Sequence, residues 1–424
     1  MIAISHSSYA LQKNIDNIES KIANYVKTQE KQQLVLLEKL VNINSGTTNI
    51  AGVEKVRDII KPEFDKLGFK TQWVNFPSEI KRAGTLIAKH PGTSGKKLLL
   101  IGHLDTVFAK NSSFKKFQRN GDTITGPGVI DDKGGDVIIL SALKTLKSLN
   151  YLKDADITVV LTGDEEDSGV PISITRQPLF DAAKDRDVAL DFEFALSSDT
   201  ATTARRGISY WTIKTQNDTN ISHSSKIFQK EAGYGAIYEL TRILDTMRTE
   251  LDSEQYLTFN PGVILGGTEV NLDADNSAGT AAGKRNVIAR TAVAQGDLRF
   301  LTDEQNKTAQ QKMRVVIDQH LPGTGATITF EKDSPTMAPT QANLDLLEQY
   351  SQASVKLGFG TVTAVDPGVR GAGDISHVAK IVPALLGGLG ANGTGAHSEQ
   401  ETLEIKSLSV QTQRAALLIY ELTR

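Results

Sequence analysis

Four short clusters in this chain collect side chains that ligate metals and move protons: GHLDTV at residues 102–107, GPGVIDDKGG at 126–135, GDEE at 163–166 and GAHSE at 395–399. A further pair, Asp191 and Glu193, stands two residues apart, so on a strand both carboxylates face one side and either could reach a shared ion. Each cluster also has an ordinary structural use. A strand-end histidine can simply hydrogen-bond, an Asp pair before Lys-Gly-Gly can cap a helix, and an acidic triplet can be a solvated loop. The chain holds no cysteine, which excludes disulfides, thiolate nucleophiles and sulfur ligation. Any metal must therefore be held by His, Asp and Glu.

Such clusters act together only if the fold brings them to one place. The apolar runs KLLLI (97–101), ITVVL (157–161) and VAL (188–190) read as short buried strands, with a helical stretch over 136–149 between the first two. Strands alternating with helices imply an α/β unit on a largely parallel sheet, which binds ligands beyond the carboxyl ends of its strands. Each run leads directly into metal-ligand residue types: His103 and Asp105 after the first, Asp164 to Glu166 after the second, Asp191 and Glu193 after the third.

Elsewhere, Leu11, Ile15, Ile18, Ile22 and Tyr25 recur at helical spacing, a second helical pattern covers 33–41, and a third covers 53–67. From about Ile208 the style changes to alternating strands, at 210–215 and 291–300, interleaved with helices at 235–247 and 304–321. The first style returns with a helix over 344–357, a strand over 381–386 and a closing helix over 408–422. The expected fold is α/β: a discontinuous catalytic domain with a mainly parallel mixed sheet flanked by helices (1–208 and 332–424), interrupted by an inserted α+β, ferredoxin-like domain (209–331).

In order and spacing the clusters resemble the motifs of the dinuclear zinc hydrolases that include glutamate carboxypeptidase, acetylornithine deacetylase, succinyl-diaminopimelate desuccinylase and aminoacylase. The likeness runs from about Leu34 to the C-terminus and is greatest to the bacterial glutamate carboxypeptidase branch. It implies that His103, Asp131, Glu166, Glu193 and His397 hold two zinc ions per subunit, with Asp131 bridging them, and that a cis peptide joins Asp131 to Asp132. It assigns Asp105 to the support of His103, and Glu165 to the role of general base. Between Asp191 and Glu193 it selects Glu193, although Phe194 follows where relatives carry proline. A His and carboxylate ligand set favours zinc, with cobalt or manganese as substitutes.

The inserted domain resembles the family's lid and dimerisation domain, which implies a clamshell whose closure excludes water. In this reading His223 contacts the oxyanion from the partner subunit of a homodimer, and Asn286 and Arg299 bind a substrate carboxylate. Gly371, in GAGD, lets the backbone approach the ligand. Where glutamate-specific relatives carry an arginine, this chain reads Lys332, Asp333, Ser334 and Pro335, which leaves glutamate preference without its usual residue. The implied substrate is a small peptide or N-acyl amino acid with a free carboxylate; the rivals are an aminoacylase or dipeptidase specificity, and a zinc-binding protein without turnover.

Bulk properties set the outer bounds. A net charge of −3 and no clustered Lys/Arg tract give no footprint for nucleic acid or anionic lipid. No apolar run long enough to span a membrane is expected, and cysteine-free composition fits a cytoplasmic and an exported enzyme equally. The segment GLGANG (388–393) fits a dinucleotide-binding spacing but leads straight towards His397 with no apolar helix after it. Neither a G-x-S-x-G elbow nor a P-loop is present.

Overall fold

The run KLLLI lies within the strand Ser94–His103, whose residues from Leu98 onward are buried. In a computed structural model, which describes residues 17–273, 278–331 and 334–424, this strand sits inside a six-stranded sheet. Across the sheet the order is Lys70–Val74, Thr85–His90, Ala155–Thr162, Ser94–His103, Val188–Asp191 and Ala384–Leu386. The last four pair in parallel, and the first two join antiparallel. The mainly parallel mixed sheet expected from the apolar runs is therefore present, with an antiparallel edge.

The helices Ile18–Val41, Lys133–Ser148 and Ile405–Leu422 pack against one another. Lys133–Ser148 is buried around most of its circumference, including Val137, Ile138, Ile139, Leu140 and Leu143, as a helix enclosed by other elements must be. One continuous helix, Ile18–Val41, replaces the two expected at the start of the chain. The polar stretch TQEKQQ at 28–33 breaks the apolar spacing, but Glu, Lys and Gln all propagate a helix well. Asn17 caps it by accepting from the Ser20 amide at 2.8 Å. Leu11 and Ile15 of that expected pattern, and Lys332 and Asp333, lie outside the described residues.

Two compact units are present among the described residues. One comprises the chain through Thr203 together with Pro339–Asp366 and Gly373–Arg424; the other comprises Ala204–Ala338 and Pro367–Ala372. The second unit therefore takes in 367–372 as well as the inserted segment. Its main elements run strand, helix, strand, strand, helix, strand: Gly207–Asn217, Ala236–Leu251, Thr258–Gly267, Thr291–Phe300, Asp303–Ile317 and Thr324–Phe330. The sheet is antiparallel throughout, with Gly207–Asn217 and Thr291–Phe300 at its centre. This is the ferredoxin-like order. Its own core gathers Trp211, Ile213, Leu240, Ile243, Met247, Leu298, Phe300 and Met313. No helix among the described residues is long and apolar enough to cross a membrane.

Candidate active site

Parallel pairing places three strand ends side by side. His103 is in register with Thr162, and Ile101 with Asp191, so the GHLD turn, the GDEE loop and the Asp191–Glu193 segment emerge together at the carboxyl ends of three central strands. The GVIDD loop arrives beneath them because its Asp132 accepts the His103 amide at 3.2 Å. That approach needs Gly102, where a Cβ would lie 2.9 Å from both Asp132 Oδ2 and Asp136 Oδ1. Gly135 is needed equally, since a Cβ there would meet Asp132 Oδ1 and the Phe192 carbonyl at 2.1 Å. The Asp131–Asp132 peptide is cis.

The structure gathers His103, Asp131, Glu165, Glu166, Glu193 and His397 into one cluster. Asp131 sets Oδ1 3.0 Å from His103 Nε2 and Oδ2 2.9 Å from His397 Nε2, one oxygen to each imidazole. His397 Nε2 is also 3.2 Å from Glu166 Oε2. Donor atoms of His103, Asp131 and Glu166 lie within 4.8 Å of one another, and so do those of His103, Glu165 and Glu193. Asp191, though buried at the end of its strand, is in neither group.

Asp105 is enclosed beneath the cluster and ties three parts of it together. It faces His103 Nδ1 at 3.3 Å, accepts the Glu165 amide at 3.0 Å and the Glu166 amide at 3.2 Å, and accepts the Thr47 hydroxyl at 2.6 Å. A proton on His103 Nδ1, directed at Asp105, leaves Nε2 as the free lone pair.

The electrostatics are those of concentrated negative charge. Burial, with repulsion from Glu193, pushes the Glu165 carboxyl well above its ordinary range. Burial raises Glu166 to about 7 in spite of its bond to His397. Burial opposes charge on His103, yet its contacts with Asp105 and Asp131 hold the imidazole well above its usual value. Hydrogen bonds to Asp131 and Glu166 raise His397 to about 11. Glu166 Oε1 is buried and has no protein partner.

These features fit a pair of divalent cations. The donors are imidazoles and carboxylates, the excess of negative charge is what dications would offset, and Asp131 presents an oxygen to each side. Ligand atoms about 2 Å from a shared tetrahedral ion stand roughly 3.3 Å apart, near the spacings found here.

Three buried residues that carry no sequence signal complete the site. Thr47 bonds Asp105, as above. Arg176 donates to Asp164 Oδ1 at 2.6 Å and forms an ion pair with Asp374 Oδ1 at 2.7 Å, anchoring the loop that carries Glu165 and Glu166. Glu401 accepts backbone amides from the Asp131 loop. Apart from Arg176 to Asp164, these contacts join distant stretches of chain, so no local pattern announces them.

The residues expected in the inserted domain form two pairs within the second unit. His223 and Asn286 are exposed on adjoining segments, joined by a bond from the Ser224 amide to the Asn286 carbonyl at 3.0 Å. His223 Nδ1 lies 2.9 Å from Ser225 Oγ. Arg299 engages Asp297 through Nε at 2.9 Å, and its Nη1 stands 3.6 Å from where a Cβ on Gly371 would be. The Gly371 carbonyl accepts from Arg205 Nε at 2.7 Å.

Fold and site define a metal-dependent hydrolase of amide bonds. The sequence matches Peptidase family M20/M25/M40 over residues 99–421, and the chain belongs to that family. It is 28% identical to Carboxypeptidase G2 of Pseudomonas sp. (strain RS-16), over 97% of this chain and 94% of that protein. Among solved structures it is similar in fold to aminopeptidase PepT from Bacillus cereus (TM-score 0.75, 17% identity, 93% of this chain and 99% of that one). It is also similar to human carnosine dipeptidase 1 (TM-score 0.65, 14% identity, 96% and 99%).

Proposed function

We propose that the chain is a zinc-dependent, carboxypeptidase-like amidohydrolase that cleaves the C-terminal amide bond of a small peptide or N-acyl amino acid. The observation that carries this reading is Asp131 presenting one carboxylate oxygen to His103 and the other to His397, which also meets Glu166. The near full-length likeness to a named carboxypeptidase supports the direction of cleavage.

In this reading His103, Asp131 and Glu193 hold one ion, and Asp131, Glu166 and His397 the other. Bound zinc supplies Lewis acidity to the scissile carbonyl and to the attacking water. Asp105 keeps His103 in the tautomer that ligates through Nε2, and by its bonds to both amides it fixes where Glu165 and Glu166 point. Glu165 accepts the water proton as the carbon–oxygen bond forms, then delivers it to the departing nitrogen as the carbon–nitrogen bond breaks. Burial of Glu165 raises its affinity for that proton, which suits a group that must hold it between the two steps.

The substrate carboxylate is assigned to Arg299, its planar guanidinium matched to a carboxylate's two oxygens, and to Asn286 of the partner subunit, since within one subunit the strand Thr291–Phe300 separates the two. A homodimer through the second unit belongs to the same reading, supported by the exposed apolar side chains of Phe228, Ile237 and Tyr238 there. The test is Glu165→Gln assayed on folyl-glutamate, N-acetyl amino acids and dipeptides, each with a carboxamide-blocked counterpart. Turnover of the free-carboxylate forms by the parent, lost in the variant, supports the proposal; unchanged turnover removes the base.

A further inference from the structure

The loop that delivers Asp131 has an unusual hydrogen-bond arrangement. Its Val129 amide bonds the Gly126 carbonyl at 3.1 Å. The remaining amides from 128 to 131 all go to one side chain: Glu401 Oε2 accepts from Gly128 at 3.0 Å, and Oε1 accepts from Ile130 at 2.9 Å and from Asp131 at 3.2 Å. Glu401 is fully enclosed, at 0% exposure. Buried amides need acceptors, and of the common side chains only a carboxylate offers enough lone pairs, all acceptors, to take them together.

Glu401 also closes the loop that carries His397. Its own amide donates to the Ser398 carbonyl at 3.0 Å, ending the turn that begins at Gly395, and it leads into the strand Thr402–Glu404, which pairs with Thr123–Thr125. One residue therefore joins the backbone around His397 to the backbone around Asp131, whose Oδ2 and Nε2 stand 2.9 Å apart.

We propose that Glu401 is a positioning residue for the metal centre, setting the separation of Asp131 and His397 by fixing both loops; this rests on the metal reading given above. Glu401→Gln preserves size but turns one oxygen into an NH2 group, which must face an amide donor. The loop then loses at least one anchor, and the ligand it carries becomes free to shift.

The test measures zinc binding to the full chain, with Glu401→Gln, Glu401→Asp and Asp131→Asn beside the parent. Zinc alone is the titrant, and unfolding temperature is read with zinc and with chelator. Glu401→Gln is expected to bind zinc about 10–100-fold more weakly, as losses of ligand-orienting partners do, and to show a smaller zinc-induced rise in unfolding temperature. Its kcat falls while KM holds. Glu401→Asp, one methylene shorter but still a carboxylate, recovers part of the affinity. Parent-like zinc affinity in Glu401→Gln overturns the proposal. So does an equal loss of stability with and without zinc that leaves the zinc-induced rise intact, since that is what a merely structural glutamate would give. Parent-like zinc binding in Asp131→Asn overturns the metal reading itself, and the role of Glu401 with it.

Discussion

The Glu165 amide donates to Asp105 Oδ1 at 3.0 Å, so the carboxylate that orients His103 also fixes the loop bearing the proposed base. All the groups that meet Asp105 are donors: His103 Nδ1, the amides of Glu165 and Glu166, and the Thr47 hydroxyl. Asp105→Asn puts an NH2 group against some of them. Metal affinity and kcat should each fall by about 10–100-fold, read by zinc titration and steady-state kinetics; parent-like values in both would remove the link.

Metal loading should release protons. His397 is raised to about 11 by Asp131 and Glu166, so at neutral pH the metal-free imidazole carries a proton that must leave before it can ligate. A rise in pH removes that proton and strengthens loading. Calorimetric titration of zinc in buffers of different ionisation enthalpy should show heats that depend on the buffer, with affinity increasing from pH 6 upward. Heats independent of buffer would contradict the assignment.

Arg176 should matter more to stability than its distance from the reacting atoms implies. It is 1% exposed and pairs with Asp164 and Asp374, so Arg176→Met leaves both carboxylates buried without their cation. A loss of about 3–5 kcal/mol is expected. Burial already pushes Asp164 up to about 6. Arg176 lowers the proton affinity of both Asp164 and Asp374, so without it the folded variant binds more protons than the folded parent, and the variant's deficit should shrink as pH falls. Denaturant unfolding at pH 7.5 and pH 5.5 reads this; a deficit that grows on acidification would be the wrong sign.

Arg299→Ala should raise KM for carboxylate substrates by about 10-fold, the loss of a charge-assisted contact of ~1.5 kcal/mol, while zinc content stays at the parent level. A large fall in kcat with KM unchanged would remove Arg299 from substrate binding.

The features legible in the sequence are those with short-range signatures. KLLLI, ITVVL and VAL mark buried strands, and the polar residues directly after them are the ones that gather at the strands' carboxyl ends. The antiparallel strands Lys70–Val74 and Thr85–His90 were hidden, the first because it lies at the sheet edge, with no fully buried residue to set a pattern. Glu401 lies 273 residues from Gly128 and Arg176 lies far from Asp374, so their bonds have no local trace. An isolated Glu after GAHSE reads as solvent-facing until the fold encloses it.

Asp131, with one oxygen facing each histidine, is the proposed bridge of the two-metal centre. The most direct measurement is metal content per chain after zinc loading and removal of excess, for the parent and for Asp131→Asn, with hydrolysis assayed on the same samples. Close to two zinc ions are expected in the parent, fewer than one in the variant, and hydrolysis lost with them. Two zinc ions retained in Asp131→Asn, or an active parent free of metal, would contradict that bridging role.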